Sequence, residues 1–456
     1  MRLGCDATRR AARPLAALAL VALGAFPPGR SAAAGAEGGT LSFAAAVTAA
    51  ARQTPAIRIA ELKTREAEAR EAQARGMLLP SLTGSASQLN RTANLKATGF
   101  QLPGGPGLTI PDLIGPYDVM DARLTVRQPI LDASSWYRLR AARAGVAGAT
   151  ADGDAAAELA AQDAALAYLR AARAAAVVEA RESDVRIAGE LLSLAEWQQR
   201  AGTSPAIDTT RARTQVVVAR GALLLARNAA GRARIDLARS LGADPASAPE
   251  LSDTLSATLG GSDAPTDAEG ATAYARAHRP ELAAEQAKLG RSRTERSAIA
   301  AERLPRLDVT ADWGVSGTRW DDAFPTRQYG AALTLPFVDG LRREARIAEQ
   351  NAVAHESEVR LGDLKDQVAA DVAAAVLDLA SGDEQLHVAD ERVALAEAEL
   401  AQSRERFTHG VSGNIEVINA QASLVRARDA QIDARYAIAA ARVAVARAAG
   451  VARTLH

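Results

Sequence analysis

"RLDVTADWGVS" (residues 306–316) alternates cleanly in a chain that otherwise reads as helix. Leu307, Val309, Ala311, Trp313 and Val315 fall on one face of an extended segment, and Asp308, Thr310, Asp312, Gly314 and Ser316 on the other. A soluble sheet with one wet face has this pattern. So does a barrel strand with lipid on its apolar side and water on its polar side. The rest of the chain decides between them.

The 456 residues carry 54 acidic and 54 basic side chains, which gives no reason to invoke nucleic acid or an anionic surface. Aromatics are only 4%, and Ala supplies much of the apolar content, which suggests elongated, closely packed helices over one thick core. Arg9, Arg10 and Arg13 precede "PLAALALVALGAF" (14–26), an apolar run too short to span a bilayer. Small residues follow, so residues 1–34 read as a secretory signal peptide cleaved near 34–36. Cys5 is the only cysteine and lies before the apolar run. The mature chain is therefore expected to have no disulfide, no zinc-thiolate site and no acylated N-terminal cysteine.

The chain is duplicated. "TPAIRIAELKTREAEAREAQARGMLLPSL" (54–82) aligns with "RPELAAEQAKLGRSRTERSAIAAERLPRL" (279–307), and "LTVRQPILD" (124–132) with "LTLPFVD" (333–339). Gly202 and Gly242 are 40 residues apart, as are Gly410 and Gly450. The first repeat covers 41–242: a helix, a strand pair (79–90 and 121–131), a long helix (134–201) and a shorter one (205–241). The second covers 271–450: a helix (280–303), strands 305–318 and 328–338, a long helix (341–409) and a helix over 413–449. The Ser/Gly/Asp/Pro-rich stretch 246–270 reads as a linker. Helices 205–241 and 280–303, placed end to end, approach the length of one long helix.

The two long helices contain no proline, and each would reach on the order of 100 Å. In the second, Val372, Leu379, Leu386, Val393, Leu400 and Phe407 recur at heptad spacing. Ala375, Gly382, Ala389, Ala396 and Ser403 follow three positions behind. Large against small residues in strict phase predict a seam where neighbouring helices approach closely and supercoil.

Four strands cannot close a barrel, and an open strand edge cannot face lipid with its amides unpaired. A bacterial single-chain barrel needs about eight strands. Exported strands of this pattern therefore imply that several chains share one barrel, and three copies would supply twelve strands. Asp308, Thr310, Asp312 and Ser316 would line water. Trp313, Tyr329, Leu333 and Leu335 would meet lipid or its interface. The fold class is mainly α with a small β part: tandem long α-hairpins, with four strands per chain that contribute to a barrel shared between copies.

This layout resembles the TolC-type outer-membrane efflux channels, and the resemblance covers essentially the whole mature chain. The residues that carry it are "LLPSL" and "RLPRL" opening strands, "QPILD" and "LPFVD" leading into long helices, and the turns "RAGTSPAIDTTRA" and "THGVSGNIEVINA". The resemblance implies a homotrimer in outer-membrane lipid and a helical tunnel closed at its periplasmic tip. It also implies docking on a periplasmic adaptor that links the duct to an inner-membrane pump. Docking would involve Gly202, Thr203, Ser204, Gly410, Val411 and Ser412. The family's acidic gate ring maps onto Glu416, with Asn419 where a second acid is expected, and Asp208 holds the equivalent place in the first repeat.

No catalytic motif appears: no H-E-x-x-H, no phosphate loop and no nucleophile elbow. His278, His355, His387, His409 and His456 lack ligand spacing, so neither a metal nor a cofactor is expected. The expected function is a passive outer-membrane duct for small molecules, not an enzyme. The alternatives are the duct of a type I protein-secretion system and, more distantly, a periplasmic coiled-coil scaffold or adaptor.

Overall fold

The computed structural model describes residues 40–95, 97 and 112–456; the expected signal segment, Cys5 and Phe100 lie outside them. Each half begins with two helices where the sequence suggested one. The first half runs α1 (Phe43–Gln53), α2 (Pro55–Gly76), β1 (Ser81–Asn94), β2 (Leu113–Leu131), α3 (Ala133–Arg200) and α4 (Ala206–Ser240). The second runs α5 (Ala268–His278), α6 (Pro280–Ala301), β3 (Arg306–Gly317), β4 (Phe324–Thr334), α7 (Arg342–Thr408) and α8 (Asn414–Ala449). Pro55 and Pro280 open the second helix of each pair, where a missing N–H costs nothing. Helix α5 begins inside the stretch read as linker. Asp267, which looks like a loop residue, caps it by accepting the Gly270 amide at 2.6 Å. The remaining connection includes a parallel bridge between Leu41 and Leu251, and Tyr168 on α3 donates its hydroxyl to the Leu41 carbonyl at 2.9 Å.

The end-to-end stacking occurs within each half, not across halves. A Cβ on Gly242, just past α4, would lie 3.1 Å from Pro55 Cδ at the start of α2. A Cβ on Gly450, just past α8, would lie 3.0 Å from the Arg279 Cα that precedes α6. Both glycines have positive φ, and in both places the amides of the glycine and of the residue after it turn back onto the helix end, so the backbone closes one helix and meets the next. Helices of 35 and 22 residues, and of 36 and 22, thus lie beside single helices of 68 and 67. The resulting four struts form one layer. Its order is α2–α3–α6–α7 near the sheet and α4–α3–α8–α7 toward the turns.

The heptad seam of α7 faces α8. Val372, Ala375, Gly382, Ala389, Ala396, Leu400 and Phe407 are buried, and a Cβ on Gly382 would touch Ile438 at 3.4 Å. The small member of each pair lets the two backbones close in. A second cluster around Phe43, Tyr168, Leu169, Leu237 and Val443 joins α1 to α3, α4 and α8 at mid-height.

The sheet is antiparallel throughout, in the order β1–β2–β3–β4, so the two halves meet at β2–β3. Strand β2 starts well before the expected residue 121. Tyr117–Met120 continue the regular pairing with β1, Leu113 and Ile114 pair with it again past a bulge, and a Cβ on Gly115 would collide with the Arg91 carbonyl at 2.8 Å. The Gly-Pro pair that suggested a loop instead marks an irregular rung. Strand β4 starts at Phe324 and ends at Thr334, short of the expected 338, because Pro336 has no amide for the ladder. Leu335, expected on the lipid face of that strand, therefore lies beyond it.

Candidate functional site

Strand register sorts the sheet into two faces. On one, Leu124 opposes Trp313, Val126 opposes Ala311, and Ala311 opposes Tyr329. Trp313 Nε1 donates to the Tyr329 hydroxyl at 2.8 Å, with the rings edge-to-face at 5.5 Å. Leu333 shares this face, directly across from Leu307. On the other face lie Asp308, Thr310, Asp312 and Ser316, with Asp121, Arg123, Thr125 and Arg127 from β2. Their charges are paired. Arg127 Nη2 donates to Asp308 at 3.0 Å, Arg123 Nη1 to Asp312 at 3.2 Å, and Arg123 also holds Asp121. Arg306 reaches Asp308 at 3.1 Å and Asp132 at 3.8 Å. Asp308 is only 4% exposed, whereas Leu82, Leu124 and Tyr329 on the apolar face are more than half exposed. Crowding on the polar face is what a sheet curled toward that face produces.

The helical layer has a concave side as well. A groove of about 780 Å3 is lined by Ile59 and Arg70 of α2, Gly145 and Asp152 of α3, Ile299 of α6 and Gln350 of α7. Only the inside of a curved four-strut layer touches both flanks at once.

At the far end, Gly202 and Gly410 both have positive φ and let the chain reverse. The amide of Thr203 bonds the Gln198 carbonyl and that of Val411 the Arg406 carbonyl, the same closure in both repeats. The two turns are also tied to each other. Gln198 Nε2 donates to the Phe407 carbonyl at 3.1 Å, and the wholly buried Asn414 donates to the Asp208 carbonyl at 2.7 Å. Asp208 is 5% exposed, accepts from Ser204 Oγ at 2.8 Å and has Arg211 at 3.6 Å, so its carboxylate is occupied within the first turn of its own helix. Glu416 and Asn419 are exposed, and Glu416 pairs with Arg406 at 3.3 Å. Val411 is exposed at the turn. The amides of Gln198 and Asn414 carry no sequence signal of their own, since only tertiary packing brings one hairpin end against the other.

Among the described residues no group of His, Cys, Asp and Glu could hold a metal ion, and no helix is long and apolar enough to cross a membrane. The sequence matches the outer membrane efflux protein family over residues 46–243 and again over 273–451. The chain belongs to that family. It is thus a relative of outer-membrane transport channels, which are ducts and not enzymes. No curated protein matches the sequence. Among solved structures it resembles the channel CusC (17% identity, TM-score 0.76, covering 89% of this chain and 91% of that one). It also resembles the Campylobacter jejuni outer membrane channel CmeC (16%, 0.75, 90% and 86%). Vibrio cholerae VceC is similar too (19%, 0.73, 90% and 96%). At these identities the likeness speaks for the fold.

Proposed function

We propose that three copies of this efflux protein complete one outer-membrane barrel and one periplasmic tunnel. The duct would carry small molecules handed over by a periplasmic adaptor and an inner-membrane pump. The observation that carries the reading is the pair of open flanks. Among the described residues the sheet ends in two unpaired edges, β1 and β4, and the helical layer ends in α2 with α4 on one side and α7 on the other. Both helical flanks carry exposed apolar residues one heptad apart: Val218 and Leu225 on α4, Val388 and Leu395 on α7. Solvated struts have no use for such rows, but copies packed side by side bury them. The similar CmeC is an outer membrane channel, which supports the same use of the fold.

In this reading residues 1–34 direct export. The turns at Gly202–Ser204 and Gly410–Ser412 meet the adaptor. Glu416, at the start of α8, narrows the periplasmic mouth, with Asn419 one turn further in. Three copies of Glu416 near the axis favour cations. Replacement Glu416→Lys should then change single-channel conductance and ion preference in planar bilayers, and unchanged values would remove Glu416 from the mouth. Cross-linking through Val411→Cys in living cells identifies the partners. Capture of an adaptor with a small-molecule pump supports the proposal. Capture of an ATP-driven protein exporter would assign the duct to type I secretion.

A further inference from the structure

The paired charges on the polar face of the sheet belong to its two central strands and the residue that follows β2. Arg123 and Arg127 of β2 and Arg306 of β3 stand among Asp121, Asp132, Asp308 and Asp312 in two linked chains. One chain runs Asp132–Arg306–Asp308–Arg127, the other Asp312–Arg123–Asp121. The Thr125–Asp312 and Arg127–Thr310 rungs put a row of threonines between them. Level with the stripe the edge strands add only uncharged groups to this face: Ser81, Thr83 and Ser85 from β1, Thr326, Gln328 and Thr334 from β4; Arg91, further along the same face of β1, donates to the Tyr117 hydroxyl at 3.1 Å. Every guanidinium in the stripe has a carboxylate partner, so the charges nearly cancel.

They are not equally shielded. The Arg127 side chain is 52% exposed, while that of its partner Asp308 is 6% exposed. One donor of Arg127 is used on Asp308, and half of the side chain stays open to solvent. A guanidinium has five donors and cannot lose its proton. With four carboxylates against three guanidiniums, neutralising Asp308 would thus remove the stripe's negative excess and leave Arg127 without its partner, while neutralising Arg127 would deepen that excess.

We propose that this Asp–Arg stripe sets the ion discrimination of the barrel, with Arg127 as its exposed cation. The inference rests on the duct reading. Pairing keeps the wall close to neutral, so small ions of either sign pass, and the balance between Asp308 and Arg127 decides which way the wall leans. In a closed assembly the stripe repeats once per copy, with neutral wall between.

The test is the reversal potential under a KCl gradient in planar bilayers, measured on the full-length channel carrying Glu416→Gln to remove the charge at the mouth. In that background Asp308→Asn should shift the reversal potential toward chloride and Arg127→Gln toward potassium. The double variant D308N/R127Q should return it to the starting value. That return separates wall charge from damage to the barrel, since the double variant lacks the most native contacts. Conductance steps with the same reversal potential in all variants would overturn the stripe's role and leave the duct standing. An unaltered protein that gives no conductance steps would contradict the duct itself, and the stripe with it.

Discussion

Glu158 lies in the middle of α3 with 1% of its surface exposed, and Arg453 from the last residues of the chain answers it. The guanidinium donates at 2.6 Å and the Arg453 amide at 3.3 Å, while a second arm reaches Asp154 at 3.1 Å. A buried carboxylate without its partner is costly, so Arg453→Met should lower stability by about 3 kcal/mol, read as an earlier thermal unfolding midpoint of the detergent-solubilised protein. A midpoint within experimental scatter of the parent would show that water reaches Glu158.

Asp184, nearer the tip, behaves differently. Burial pushes its carboxyl above the ordinary aspartate range, Arg181 and Arg428 oppose the shift, and Asp429 adds to it. Because the folded value exceeds the unfolded one, the protonated form favours the fold. That contribution is complete below the unfolded value of about 3.9 and fades as pH rises through the raised value. Asp184→Asn should therefore gain stability relative to the parent as pH rises above about 4. Parallel pH profiles of the two proteins would mean that folding leaves the Asp184 carboxyl at its ordinary value. Neither Glu158 nor Asp184 stands out in the sequence, where both read as ordinary helical acids. Their burial depends on which strut passes over them.

At the scale of elements, the long helices and the seam of α7 were legible because heptad phase survives any detail of the surroundings. Val372, Leu400 and Phe407 turned inward, as did Ala375, Gly382, Ala389 and Ala396. Gly382→Leu would drive a side chain into Ile438, whose Cα lies 3.4 Å from the new Cβ, and should cost about 1–3 kcal/mol. A fully stable Gly382→Leu protein would mean that α7 and α8 can slide apart. The strand ends were less legible. Gly115 and Pro116 look like a turn, and only the bulged pairing with β1 makes them part of a strand. The polar and apolar faces of 306–316 were visible, but the ion pairs that join Arg123 and Arg127 to β3 depend on register, which a single strand does not encode. The stacking of α4 on α2 was hidden for a similar reason: helix lengths suggest a partner without naming it.

For the whole molecule, duplication explains most of the design. Each repeat contributes one uninterrupted strut, one strut made of two stacked helices, and two strands, and the repeats meet along β2–β3 and α3–α8. The turn glycines at residues 202 and 410 mark where the sequence announced the two hairpins. What one chain cannot do is satisfy its own flanks: the edges of β1 and β4 lack partners, and lipid offers no hydrogen bonds to replace them. The mass of the particle extracted from outer membranes in detergent, measured by native mass spectrometry, tests this most directly. The account predicts three copies of the chain in one particle; a single chain that stays in solution without detergent would contradict it.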